Sequence, residues 1–187
     1  MKRGLLALAG AATAIALAGS PAAAAATHTA PGSAGGTVAA TATAPAAAAA
    51  VSRATVLRIA RSQLGYRERG NNCTKFGPCE EWCSLFATWV WRHAGVGIPS
   101  YAFTGDVYRW GQRHHLAYGR AALRQAKAGD VLLFGTGPST TRTSTHIGIV
   151  ERVAGGRVTL IEGNSSNRVR RVTHPLSTSV FYGGVRP

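Results

Sequence analysis

The sequence predicts an α+β domain, with helices first and an antiparallel β-sheet after them. Two observations carry that prediction. Between Ser52 and Ala94, apolar residues recur three and four positions apart, the spacing of a helix face. From Asp130 onward, short aliphatic and β-branched runs are separated by Gly, Ser and Asn. The domain is assigned to residues 51–187 of the 187-residue chain, a length that suffices for one hydrophobic core.

The elements follow in order. Ser52 can cap a first helix in which Val56, Ile59, Ala60 and Leu64 share a face, and Gly65 stops it. Residues 66–81 are polar, contain Gly70, Gly77 and Pro78, and read as a loop. A second helix covers 82–94, with Phe86, Trp89 and Val90 on one side and Gly95 at its end; a short third lies within 105–113. Strands are expected at 130–134, 146–153, 157–162 and 168–172, and Phe181-Tyr182 closes a fifth.

Ahead of the domain, Lys2 and Arg3 precede an uncharged apolar stretch, 4–18, and an alanine run with small-x-small cleavage candidates. Residues 1–25 are therefore read as a removable secretory signal rather than a membrane anchor, for which about 20 apolar residues are wanted. Residues 26–50 carry no charge and are mostly Ala, Thr, Gly and Pro, the composition of a linker. The chain is strongly basic, +14 overall and +12 over residues 51–187. No second long apolar stretch supports a multi-span membrane protein, and no stable membrane anchor is expected once the signal is removed.

Export places the three cysteines where disulfides persist. Cys73 and Cys79 flank Gly77-Pro78 in one loop, so the simplest pairing is Cys73–Cys79, leaving Cys83 as the free thiol. The rival Cys79–Cys83 pairing strains a helix start. A zinc site on Cys73, Cys79, Cys83 and His93 is the other alternative, but the spacing departs from common structural zinc patterns. Cys83 stands in the first turn of the second helix, where unpaired backbone N–H groups and the helix dipole favour a thiolate. That makes it a candidate nucleophile in search of a base.

Of the six histidines, His28, His93, His114, His115 and His174 read as solvated polar residues. His146 differs because it begins a strand that enters a hairpin. A three-residue loop, Ala154-Gly155-Gly156, sets Val153 opposite Arg157. Counting outward, His146 faces Asn164 and Gly148 faces Glu162, so His146, Glu162 and Asn164 share one face with Gly148 leaving room. A two-residue turn on Gly155-Gly156 shifts the register by one and puts Glu162 and Asn164 on the other face from His146. A carboxylate or amide neighbour fixes the tautomer and ring orientation that a thiol–imidazole pair needs for acyl transfer, with the Cys83 N–H available to an oxyanion. No serine elbow or phosphate-binding loop is present.

These residues resemble the CHAP family, the cysteine- and histidine-dependent amidohydrolases/peptidases of bacterial cell-wall turnover. The resemblance runs through Gln63-Leu64-Gly65-Tyr66, Asn72, Thr74-Lys75-Phe76 and Trp82-Cys83-Ser84-Leu85-Phe86. It continues with residues 128–134, His146-Ile147-Gly148-Ile149-Val150-Glu151 and Ile161-Glu162-Gly163-Asn164. It implies a papain-like α+β fold and cleavage of amide bonds in peptidoglycan. It also implies Cys83 as nucleophile, His146 as base and then acid, and Glu162 and Asn164 as the residues orienting His146. Some members carry an aspartate-rich calcium loop. Residues 66–81 have no Asp, and no metal or cofactor is expected here.

The resulting expectation is a secreted or wall-localised cysteine hydrolase whose substrate is peptidoglycan or a wall-derived peptide. Its positive charge is suited to anionic wall polymers. A catalytically silent, cationic wall protein on the same fold is the rival reading. Nucleic-acid binding lacks a basic-plus-aromatic motif, and export removes the protein from cytoplasmic nucleic acid.

Overall fold

A computed structural model describes residues 51–187; the expected signal peptide and linker lie outside the described residues. Ser52 accepts a hydrogen bond from the Thr55 amide at 3.4 Å and starts α1 (Arg53–Ser62), which buries Val56 and Ala60. α2 (Cys83–His93) buries Leu85, Phe86, Val90 and Trp91. Its N-cap residue, Trp82, makes no side-chain cap; the indole is instead fully buried and donates to Glu68 at 2.9 Å. α3 (Thr104–Arg113) completes the helical half.

Six strands form one antiparallel sheet: β1 (Ala117–Gly119), β2 (Val131–Gly135), β3 (Ser144–Ala154), β4 (Arg157–Glu162), β5 (Arg170–Pro175) and β6 (Phe181–Val185). They lie in the order β1-β6-β2-β3-β4-β5. Five strands were expected. The additional one, β1, is three residues long, too short for alternation to register, and a 3-10 turn over Arg120–Gln125 follows it. Among the described residues no helix is long and apolar enough to cross a membrane.

Both faces of the sheet are buried. Val131, Leu133, Ile147, Ile149 and Ile161 pack with the helices, while Leu132, Val150, Val158, Leu160 and Phe181 meet Tyr118 and Leu123 on the other side. That two-sided burial is why β2 and β3 read as near-continuous apolar runs. Helices and sheet are tied by polar bonds as well. Trp91 donates to the Gly129 carbonyl at 3.1 Å, and the buried Asp130 carboxylate accepts from Arg53, the Tyr118 hydroxyl and the Lys127 amide.

The β3–β4 hairpin departs from the expected register and then returns to it. Ala154, not Val153, pairs with Arg157, because the turn is the two-residue Gly155-Gly156 with both φ values positive (55° and 70°). Both central residues of such a turn must take φ > 0, which glycine does at little cost. This turn alone sends Glu162 to the wrong face. A β-bulge at Glu151 inserts one residue between the Val150–Leu160 and Arg152–Thr159 pairs and restores the expected pairing, with Ile149 opposite Ile161. Glu151 is held there by Arg61 of α1 and Arg171 of β5, each at 2.7 Å.

β5 is also shifted from expectation, running to Pro175 rather than ending at Val172. As an edge strand it tolerates a terminal proline, whose missing N–H faces no neighbour. His174, expected in a solvated loop, is therefore a strand residue opposite Val158.

Candidate active site

Cys73 and Cys79 are joined as a disulfide, and Cys83 is the free thiol among the described residues. Two of the four candidate zinc ligands are thus bonded to each other. Cys83 opens α2, where its own amide and those of Ser84 and Leu85 precede the first helical hydrogen bond, Phe86 N–H to the Trp82 carbonyl at 2.9 Å. The cysteine is largely buried yet lines a cleft of about 470 Å³, with Glu80, Glu81, Phe103, Thr104 and Thr145 among the other walls.

His146 comes from β3 and reaches the same point. Its hydrogen-bond partner is Glu162, and Cys83 lies close enough to act on the imidazole electrostatically. Nε2 lies 3.1 Å from Glu162 Oε2, which leaves Nδ1 unengaged by the carboxylate. Gly148 is the residue that makes the pairing sterically feasible. A Cβ there would stand 3.0 Å from Glu162 Cγ and 2.8 Å from Leu160 Cδ1.

The electrostatics follow from burial and neighbours. Burial pushes the His146 imidazolium down, but the polar interactions with Cys83 and Glu162, together with their charges, outweigh it and push the pKa up to about 9. Burial pushes the Glu162 carboxyl up, and the hydrogen bonds and charges of His146 and His174 more than reverse that, holding it below its ordinary value. At neutral pH His146 is therefore cationic and Glu162 anionic.

The structure brings Cys83, His146 and Glu162 together, but not Asn164. β4 ends at Glu162, and Asn164 adopts φ 55°, so the strand alternation that set it beside His146 no longer applies. Its amide donates instead to Glu81 at 2.7 Å, whose other oxygen accepts from Asn72.

Two residues that sequence reasoning passed over complete the cluster. His174 Nε2 lies 2.6 Å from Glu162 Oε1, so the carboxylate is held between two imidazoles. Phe134 packs on both rings, with centroids 5.2 Å from His146 and 4.9 Å from His174. Extending β5 by two residues was the signal that would have found His174, since Arg170, Val172 and His174 share one face.

A family model described as the CHAP domain matches residues 65–164. No curated protein matches the chain. Among solved structures, similarity extends to Ly7917 with the hydrolyzing product of MDP, at 21% identity and a TM-score of 0.47, covering 73% of this chain and 63% of that one. It extends also to NlpC1 from Trichomonas vaginalis, at 15% identity and TM-score 0.44, covering 70% and 42%. An NLP/P60-family protein similar to lipoproteins from Staphylococcus aureus matches at 17% identity and TM-score 0.44, covering 72% and 40%. The chain thus spans less than two thirds of the length of each of these structures.

Proposed function

The chain belongs to the CHAP domain family, and on that premise we propose that it is a secreted cysteine hydrolase that cuts amide bonds in bacterial peptidoglycan. The bond is that of an N-acetylmuramoyl-L-alanine amidase or of a cross-bridge endopeptidase. The observation that carries this reading is the placement of the Cys83 thiol, in the first turn of α2 and lining an open cleft, beside the imidazole of His146.

In this reading the Cys83 sulfur attacks the scissile carbonyl carbon as a thiolate, its charge balanced by the His146 imidazolium. The oxyanion that forms accepts from the Cys83 N–H, an amide with no acceptor within the helix. His146 then gives its proton to the leaving nitrogen, the C–N bond breaks, and an acyl-thioester remains on Cys83. Neutral His146 next takes a proton from water as that water attacks the thioester. Breaking the C–S bond releases a carboxylic acid and restores the ion pair. Glu162 keeps the imidazole oriented throughout by holding Nε2. Asn164 acts at one remove, anchoring Glu81 at the cleft wall.

The +12 charge of residues 51–187 suits retention on anionic wall polymers, an attraction that salt screens. Digestion of purified peptidoglycan by the full chain, followed by mass spectrometry of the fragments, tests the proposal and identifies the bond from the new termini. Cys83→Ala is expected to lower hydrolysis by a factor on the order of 10³ or more. Equal hydrolysis by both proteins would remove the enzyme reading and leave a cationic wall-associated protein.

A further inference from the structure

We infer that His174 is a positioning residue of this site, whose imidazole holds the second oxygen of Glu162 and so keeps that carboxylate aimed at His146. What the positioned group accomplishes rests on the Cys83–His146 reading above; the geometry does not.

Glu162 has a side chain only 3% exposed, so its two oxygens cannot rely on solvent. Each takes one hydrogen bond, Oε2 with His146 at 3.1 Å and Oε1 with His174 at 2.6 Å. A buried carboxylate with one oxygen unpartnered is costly, and it can rotate about its last bond. The shorter contact to His174 fixes that rotation. Phe134 supports the arrangement from β2 by packing on both imidazoles, and Phe181 from β6 meets the His174 ring edge-on at 6.1 Å.

The charged and titratable groups around the carboxylate are few. His146 faces it from β3, with Cys83 of α2 behind, and His174 from β5; Phe134 and Phe181 present no charge from β2 and β6. Arg170 stands opposite Glu162 in the β4–β5 register, but its guanidinium donates to Ser166. On β4, Arg157 donates to the Thr173 carbonyl beside His174. His174 is therefore the group able to saturate Oε1. Its Nε2 engages Oε1 and leaves Oε2 to His146.

Two variants and two readouts test this. His174→Gln retains a donor where Nε2 stood but cannot be protonated; His174→Leu removes the donor. On peptidoglycan, His174→Leu is expected to lower kcat by about tenfold with KM nearly unchanged, and His174→Gln to stay within about threefold of the parent protein. The second readout needs no wall substrate. It is the pH dependence of iodoacetamide alkylation at Cys83, whose acid inflection moves upward in His174→Leu and returns toward the parent value in His174→Gln. A parent-like kcat and alkylation profile in His174→Leu overturns the inference. So does a loss of tenfold or more in His174→Gln, and this second criterion holds even if His174→Leu does not fold. If the parent protein fails to cut peptidoglycan while the alkylation profile shifts as stated, the hydrolase reading fails and the positioning role stands.

Discussion

Replacing Gly148 with alanine tests whether the space beneath the His146–Glu162 pair is as tight as the structure has it. The added Cβ would lie 2.8 Å from Leu160 Cδ1, 2.9 Å from Leu160 Cβ and 3.0 Å from Glu162 Cγ. Optimal carbon–carbon contact is about 3.5–4.0 Å, so each neighbour has to retreat by roughly half an ångström or more. Leu160 is fully buried in the second core and has little room to yield, which directs much of the displacement to Glu162. Overpacking of this kind costs about 1–3 kcal/mol of stability. The functional cost is separate. The His146–Glu162 hydrogen bond is already 3.1 Å long, and a shift of about 0.5 Å takes it past hydrogen-bonding range. A 1 Å misplacement in a catalytic constellation costs on the order of a hundredfold, so half of that corresponds to about tenfold in kcat. Denaturant unfolding and peptidoglycan turnover on the same preparation separate the two costs. A Gly148→Ala protein with unchanged turnover would refute the claim that Glu162 is confined by the close approach of β3.

Three further outcomes follow from the structure. The raised His146 pKa stabilises the fold fully below about pH 6.5, and that contribution declines as the pH climbs toward about 9. The lowered Glu162 pKa contributes above about pH 4.5 and is lost below it. A thermal-unfolding series should therefore peak between these limits, and His146→Ala should flatten its alkaline side; an unchanged alkaline slope in that variant contradicts the assignment. Thiol labelling of the unreduced protein should modify one cysteine, Cys83, whereas Cys73→Ser/Cys79→Ser should lower stability by about 2 kcal/mol, the chain-entropy value for so short a loop. Three labelled cysteines, or unchanged stability, would contradict this.

The α1 and α2 faces, the positions of β2 to β4, and the placement of Cys83 in the first turn of α2 were legible in the sequence. They depend on short-range regularities: side-chain periodicity, glycine stops, and the location of a cysteine in a first helical turn. The hairpin register was reached through a turn that the protein does not use. The two-residue Gly155-Gly156 turn and the bulge at Glu151 each displace the pairing by one residue and cancel. The bulge is stabilised by Arg61 and Arg171, partners 90 and 20 residues away in sequence, so no local pattern announces it.

By itself, then, the sequence determined which residues could become nucleophile, base and carboxylate, because backbone alternation and helix-end chemistry are properties of neighbouring residues. Tertiary structure alone decided which of them meet. It took Asn164 away to Glu81 by ending β4 one residue past Ile161, and it gave Glu162 a second imidazole by pairing β5 along β4. The physical reason is that a buried carboxylate must find partners wherever the packed sheet supplies them, and those partners lie across strands rather than along the chain.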